Sequence, residues 1–161
     1  MDTHASLMIF QATCFLGFSL WLSIALINNL HAFSSSVAAV GATMAMAPLH
    51  QPPAIDFPLL RRALTSPALH RLAMIVVVLL QTLAVLAAWT GCYHWLLGGE
   101  LEAARPWLNL ALSAALAFLF AMLLGGLWFG YWIRQEALQL THLVLVVWVL
   151  LNFLVLNLRW S

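Results

Sequence analysis

Met44, Met46 and His50 form an M-x-M-x-x-x-H series. Thioether sulfur with imidazole nitrogen is the donor set that suits cuprous ion. His31, His70 and His142 supply further imidazoles, and two of them at one depth would make an axial pair for haem. Glu136 and His142 border an apolar stretch, and a carboxylate with an imidazole is what a proton or ion relay uses. His142 near Glu136 would titrate near neutrality. Gln135, Gln139 and His142 fall at i, i+4 and i+7, one face of a helix. Motifs of catalysis are missing: the chain has no H-E-x-x-H, no G-x-S-x-G and no paired aspartates in its apolar runs. Cys14 and Cys92 lack C-x-x-C spacing and read as buried thiols rather than a redox or zinc motif.

The elements that must position these groups follow from composition. Of 161 residues, 65% are apolar and 7% charged, and the mean hydropathy is +1.00. A soluble domain carries roughly a quarter of its residues charged, so this chain cannot clothe a water-facing surface. A net charge of +1, with six Arg and no Lys, gives no footprint for nucleic acid. The partner that composition requires is the lipid bilayer.

The charges mark the crossings. Between them lie four long apolar runs, about residues 7–27, 72–97, 106–133 and 137–158. Each reaches the roughly 20 residues that cross a core of ~30 Å, and none suffices for two crossings. The runs are continuous rather than alternating, which makes them helices. The expectation is an all-α, single-domain, antiparallel bundle of four transmembrane helices with one long loop, residues 28–71, between the first and second. Within that loop, S-S-S-V-A-A-V-G-A-T-M-A-M-A is too short and mild to cross and suits the interface or a dip into the bundle. Asp56 before Pro58 suggests a short interfacial helix near 57–65. Gly98 and Gly99 end the second span and Pro106 opens the third. Only Arg134, Gln135 and Glu136 separate the third from the fourth, so that turn is tight. The first run lacks the basic start of a signal peptide and exceeds its usual apolar length, so it reads as a retained helix.

Side B carries the long loop and the turn after the third span; side A carries both termini and the Gly-Gly turn. Arg61, Arg62, Arg71 and Arg134 fall on side B, Arg105 and Arg159 on side A. The positive-inside rule then puts the long loop in the cytoplasm and both termini in the periplasm of a bacterial inner membrane. Trp89, Trp95 and Trp107 near side A, Trp128 and Trp132 near side B, and Trp160 make an interfacial belt. Trp21 and Trp148 lie deeper, as core packing or a cavity lining. On the third span Asn109, Ser113, Ala117, Ala121 and Gly125 recur at steps of four, and Gly126 with Gly130 adds a G-x-x-x-G pair. Small residues let membrane helices approach closely, and the expectation is packing against the other three spans. Gln11, Gln81, Asn152 and Asn157 read as interhelical hydrogen-bonders.

Antiparallel threading gathers Asn28, Asn29, His31, His70, Arg71, Tyr131, Arg134, Gln135, Glu136, Gln139 and His142 on side B, with Thr141. Within this set, G-L-W-F-G-Y-W-I-R-Q-E-A-L-Q-L-T-H (126–142), with S-L-W-L-S-I-A-L-I-N-N (19–29) and R-R-A-L-T-S-P-A-L-H-R-L-A before the second span, resembles a bacterial family of small integral membrane proteins, domain of unknown function 2165. The resemblance covers nearly the whole chain and implies four spans without implying an activity. Three readings stay open. One is a non-catalytic membrane subunit, accessory or scaffold, associating with another membrane protein or with itself. A second is a copper or haem protein using Met44, Met46, His50, His31 or His142. The third is a small oligomeric channel or transporter using Glu136 and His142.

Overall fold

The computed structural model describes residues 2–56 and 58–158. Arg159 and Trp160, read above as side A groups, lie outside the described residues, as does Phe57. Among the described residues six α-helices follow in order: α1 Thr3–His31, α2 Phe33–Met44, α3 Ala47–His50, α4 Pro67–Leu96, α5 Leu101–Trp128 and α6 Glu136–Asn157. Short 3-10 helices occupy Pro58–Arg62 and Tyr131–Ile133. Four helices, α1, α4, α5 and α6, are long and apolar enough to cross a membrane.

Pair contacts give the directions. Ser19 meets Cys92, Ser23 meets Trp89 and Asn29 meets Gln81, so numbers rise along α1 as they fall along α4. Gln11 meets Val155 and Trp21 meets Trp148, which sets α1 antiparallel to α6. Asn109 meets Asn157, at one end of α5 and the other of α6. The core lies where these helices converge: Phe15, Phe18 and Leu22 from α1, Ala84, Ala87 and Ala88 from α4, Ala111, Ala115, Phe118 and Leu119 from α5, and Val149 from α6. The alanine rows bring α4 and α5 closest. A Cβ on Gly91 would stand 2.6 Å from Leu108, so only glycine permits that approach.

Several expectations need correction. Helix α1 starts earlier than residue 7, because Asp2 accepts a hydrogen bond from the Ala5 N–H at 2.7 Å and caps it. Helix α5 opens at Leu101 rather than at Pro106, which sits inside it. The chain turns at Gly99, φ 70°, and re-enters helix at once. The loop at 28–71 is not open chain: twelve of its residues form α2, which packs along α4. A 3-10 helix at Pro58–Arg62 stands where an interfacial helix near 57–65 was expected. Gly130, read as a packing residue, adopts φ 66° just after α5 and stops that helix.

The small-residue stripe faces the wrong way for its assigned task. Ser113, Ala117 and Ala121 are exposed, and nothing lies within 4 Å of a Cβ built on Gly125. The face α5 turns inward carries Leu108, Ala111, Leu112, Ala115, Phe118, Leu119 and Gly126 instead. The centre of this bundle is filled by large side chains set among buried alanines of α4 and α5, not by the expected stripe. Trp95 likewise leaves the interfacial belt: it is 4% exposed and meets Phe15 edge-on.

Candidate functional site

The side B rim is assembled from four chain segments, and it divides in two. On one flank, Asn29 ends α1 and donates from Nδ2 to Gln81 Oε1 at 2.9 Å, while its Oδ1 accepts from Ser36 Oγ of α2 at 3.2 Å. Gln81 is buried, and this network ties three helices together. Further along α4, His70 donates from Nε2 to the Leu64 carbonyl at 2.8 Å. Its ring occupies the space where a Cβ on Gly41 would be, which makes Gly41 the contact point of α2. Asn28 and His31 are exposed at the end of α1. Arg71 is exposed and makes no hydrogen bond or ion pair with the described residues.

The other flank centres on Tyr131 and His142. Gly130, in its left-handed conformation, swings Tyr131 back under α5, where the ring takes the place of a side chain on Gly126. The phenol ring stacks on the His142 imidazole, with centroids 6.0 Å apart and 20° between planes. Tyr131 is 3% exposed and His142 7%. Neither Tyr131 Oη nor His142 Nδ1 has a hydrogen-bond partner. Burial pushes the Tyr131 phenol up from its ordinary value. Beside them, Thr43 Oγ1 donates to Gln135 Oε1 at 3.3 Å, and Arg134 donates to the Pro53 carbonyl. Thr43, Arg134 and Gln135 also border a cavity of about 10 Å³, room for a single water.

The rim therefore brings together Asn29 with Gln81, and Tyr131 with His142, but does not assemble a relay. Glu136 is exposed, and no ion pair or hydrogen bond joins it to His142. Gln135 precedes α6 and makes no side-chain cap, so the expected face begins with partly buried Gln139 and ends at His142. The M-x-M-x-x-x-H series is divided as well. Met46 is buried with Leu49 and Phe129, Met44 packs against that cluster, and His50 is exposed. Among the described residues no three His, Cys, Asp or Glu side chains stand together as a metal-holding group. Cys14 and Cys92 are free thiols.

Sequence reasoning missed Ser36, Gly41, Thr43 and Pro53 as structural partners of the rim. A signal existed for α2: Phe33, Val37, Val40 and Met44 repeat at helical spacing. Pro53 had none, because it contributes only a backbone carbonyl.

Comparison with known proteins places the whole bundle at once. A family model described as "Predicted small integral membrane protein (DUF2165)" matches residues 7–159. No curated protein and no solved structure matches the chain. With four membrane-length helices and a match that reaches every one of them, the chain belongs to the DUF2165 family of predicted small integral membrane proteins.

Proposed function

We propose that this protein is a non-catalytic subunit of the bacterial inner membrane, an accessory or scaffold that associates laterally with a neighbouring transmembrane helix. The reading rests on one observation: a second set of small residues of α5, recurring at steps of four, lies on the outer face of the helix while Ala111, Ala115 and Gly126 face the core. Ser113, Ala117, Ala121 and Gly125 leave a shallow strip down the lipid-facing side of the helix. Leucine-like lipid tails gain nothing from such a strip, whereas a helix backbone can approach it closely. The inserted polar side chains support the same reading, since many of them are used inside the chain. Asn109 pairs with Asn157 through two hydrogen bonds, Gln11 holds the Val155 carbonyl, and Asn29 holds Gln81. The excess of arginine on side B favours a cytoplasmic long loop and periplasmic termini.

The test is recovery of assemblies in mild detergent from cells carrying wild type, Ala117→Leu or Ala121→Leu. Both substitutions fill the strip without touching the core. Loss of the partner or of self-association, with thermal stability retained, is the expected outcome. Assemblies recovered unchanged from both variants would reject the reading.

A further inference from the structure

A groove of about 580 Å³ runs between α2 and the first three turns of α4. Its lining is Val37 on one side and Pro67, Ala68, Arg71, Leu72 and Ile75 on the other. These five α4 residues lie within one sector of the helix and extend about 12 Å along it, at 1.5 Å per residue. The charge is a single guanidinium midway along it, with Pro67 and Ala68 toward the start of α4. Arg71 stands one turn into α4, and Leu72 and Ile75 continue the wall toward the middle of the span. Arg71 has no partner among the described residues. At the same end, Ser66 makes no side-chain cap and no acidic residue lies in the first turn of α4. The first N–H groups of that helix thus add positive potential beside the guanidinium. The groove is therefore cationic over the first turns of α4 and apolar from Leu72 toward the middle of the span. That is the complement of an amphiphile with an anionic head.

We propose that this groove binds one anionic phospholipid, with the phosphate against Arg71 and an acyl chain along Val37, Leu72 and Ile75. A guanidinium and backbone N–H groups suit phosphate oxygens, and basic recesses between membrane helices hold anionic headgroups. A zwitterionic lipid brings a trimethylammonium beside Arg71 and loses that complementarity. Arg61 and Arg62 do not line the groove: Arg61 donates from Nε to the Pro58 carbonyl, and Arg62 lies 4.3 Å over the Trp128 ring. Of the three, Arg71 alone lines the groove.

The test uses the full chain purified in mild detergent, with native mass spectrometry reading retained dioleoyl-phosphatidylglycerol against dioleoyl-phosphatidylcholine. Wild type should retain one phosphatidylglycerol in preference to phosphatidylcholine. Arg71→Gln should weaken that retention about tenfold, the loss of one charge-assisted contact, while Arg61→Gln leaves it unchanged. Val37→Trp fills the groove without altering charge and should abolish retention of both lipids; it decides the matter where Arg71→Gln does not fold. Equal retention of the two lipids, equal loss in Arg61→Gln and Arg71→Gln, or full retention in Val37→Trp would each overturn the proposal. So would displacement of the lipid by inorganic phosphate, because the acyl chain would then contribute nothing.

Discussion

The two ends of the bundle are built differently. At side A the chain turns through Gly98 and Gly99, residues 96–100 are exposed, and the local charges form an ion pair, Glu102 with Arg105 at 3.0 Å. What holds that end is inside the helices: Asn109 with Asn157, Gln11 with the Val155 carbonyl, and Gly91 pressed against Leu108. At side B the chain adds a second apolar cluster, Met46, Leu49 and Phe129, with Ile55, Leu59, Leu60 and Ile133 packed on it. Backbone bonds from Ile55 to Leu49 and from Leu64 to Met44 knit this cap together. The difference teaches that one end depends on helix–helix fit, whereas the other depends on a cap laid over finished helices. Damage at side A should spread through the bundle, and damage to the cap should stay local.

The sharpest way to break that comparison is to insert bulk at the glycine of each end. Gly91→Leu forces α4 away from α5 along their closest line, a loss of about 1–3 kcal/mol or more by overpacking. It should lower the thermal midpoint in mild detergent markedly. Gly41→Leu collides with the His70 ring and should undock α2, exposing Ser36 to proteolysis or to labelling as Ser36→Cys. The midpoint of the bundle itself should fall less than for Gly91→Leu. Equal falls for the two variants would show that the cap and the bundle are one cooperative unit.

A smaller effect sharpens the picture of side A. Asn157→Leu leaves the Asn109 side chain facing apolar groups without its two bonds, a loss on the order of 1 kcal/mol for membrane hydrogen bonds. The double variant Asn109→Leu with Asn157→Leu should recover part of it, since neither amide is then stranded. Additive losses in thermal unfolding would mean that the pair is not coupled.

Which parts of this were readable beforehand follows from the kind of signal each part leaves. Crossings are set by lipid, which tolerates few charges, so the gaps between charged residues locate four helices. Helix ends are set by local chemistry, and there the reading failed at Pro106 and Gly130. A proline can sit in the sixth position of a helix with the loss of one intrahelical hydrogen bond, and a glycine inside G-x-x-x-G looks the same whether it packs or stops a helix. Facing directions are the hardest. Ser113, Ala117 and Ala121 form a continuous small strip, but inward packing in this bundle is carried by Phe118, Leu119 and Leu108 meeting alanines of α4. In a chain that is apolar all round, periodicity distinguishes one face from another only weakly. At the rim, residue type pointed to Asn29, Tyr131 and His142. Their partners depend on where α2 docks, and no spacing along the chain expresses that.

The smallest expected change belongs to Tyr131, and its sign separates packing from hydrogen bonding on side B. The ring is needed: it fills the space over Gly126 and stacks on His142. The hydroxyl is not, because Oη is buried without a partner. Tyr131→Phe should therefore leave thermal stability at neutral pH unchanged or raise it by up to about 1 kcal/mol, the relief of an unpaired buried polar group. The alkaline limb carries the same information independently. Burial holds the proton on the folded phenol to higher pH than in the unfolded chain. The stability linked to this is fully present below the unfolded value of about 10 and is lost as pH rises through the folded one. Wild type should lose stability above that point by an increment that Tyr131→Phe lacks, so the gap between the two should widen with pH. A Tyr131→Phe variant less stable than wild type at neutral pH would mean that the hydroxyl is bonded after all, with a water in the adjoining cavity as its nearest candidate, and the cap would then be held by polar contacts as much as by its apolar cluster.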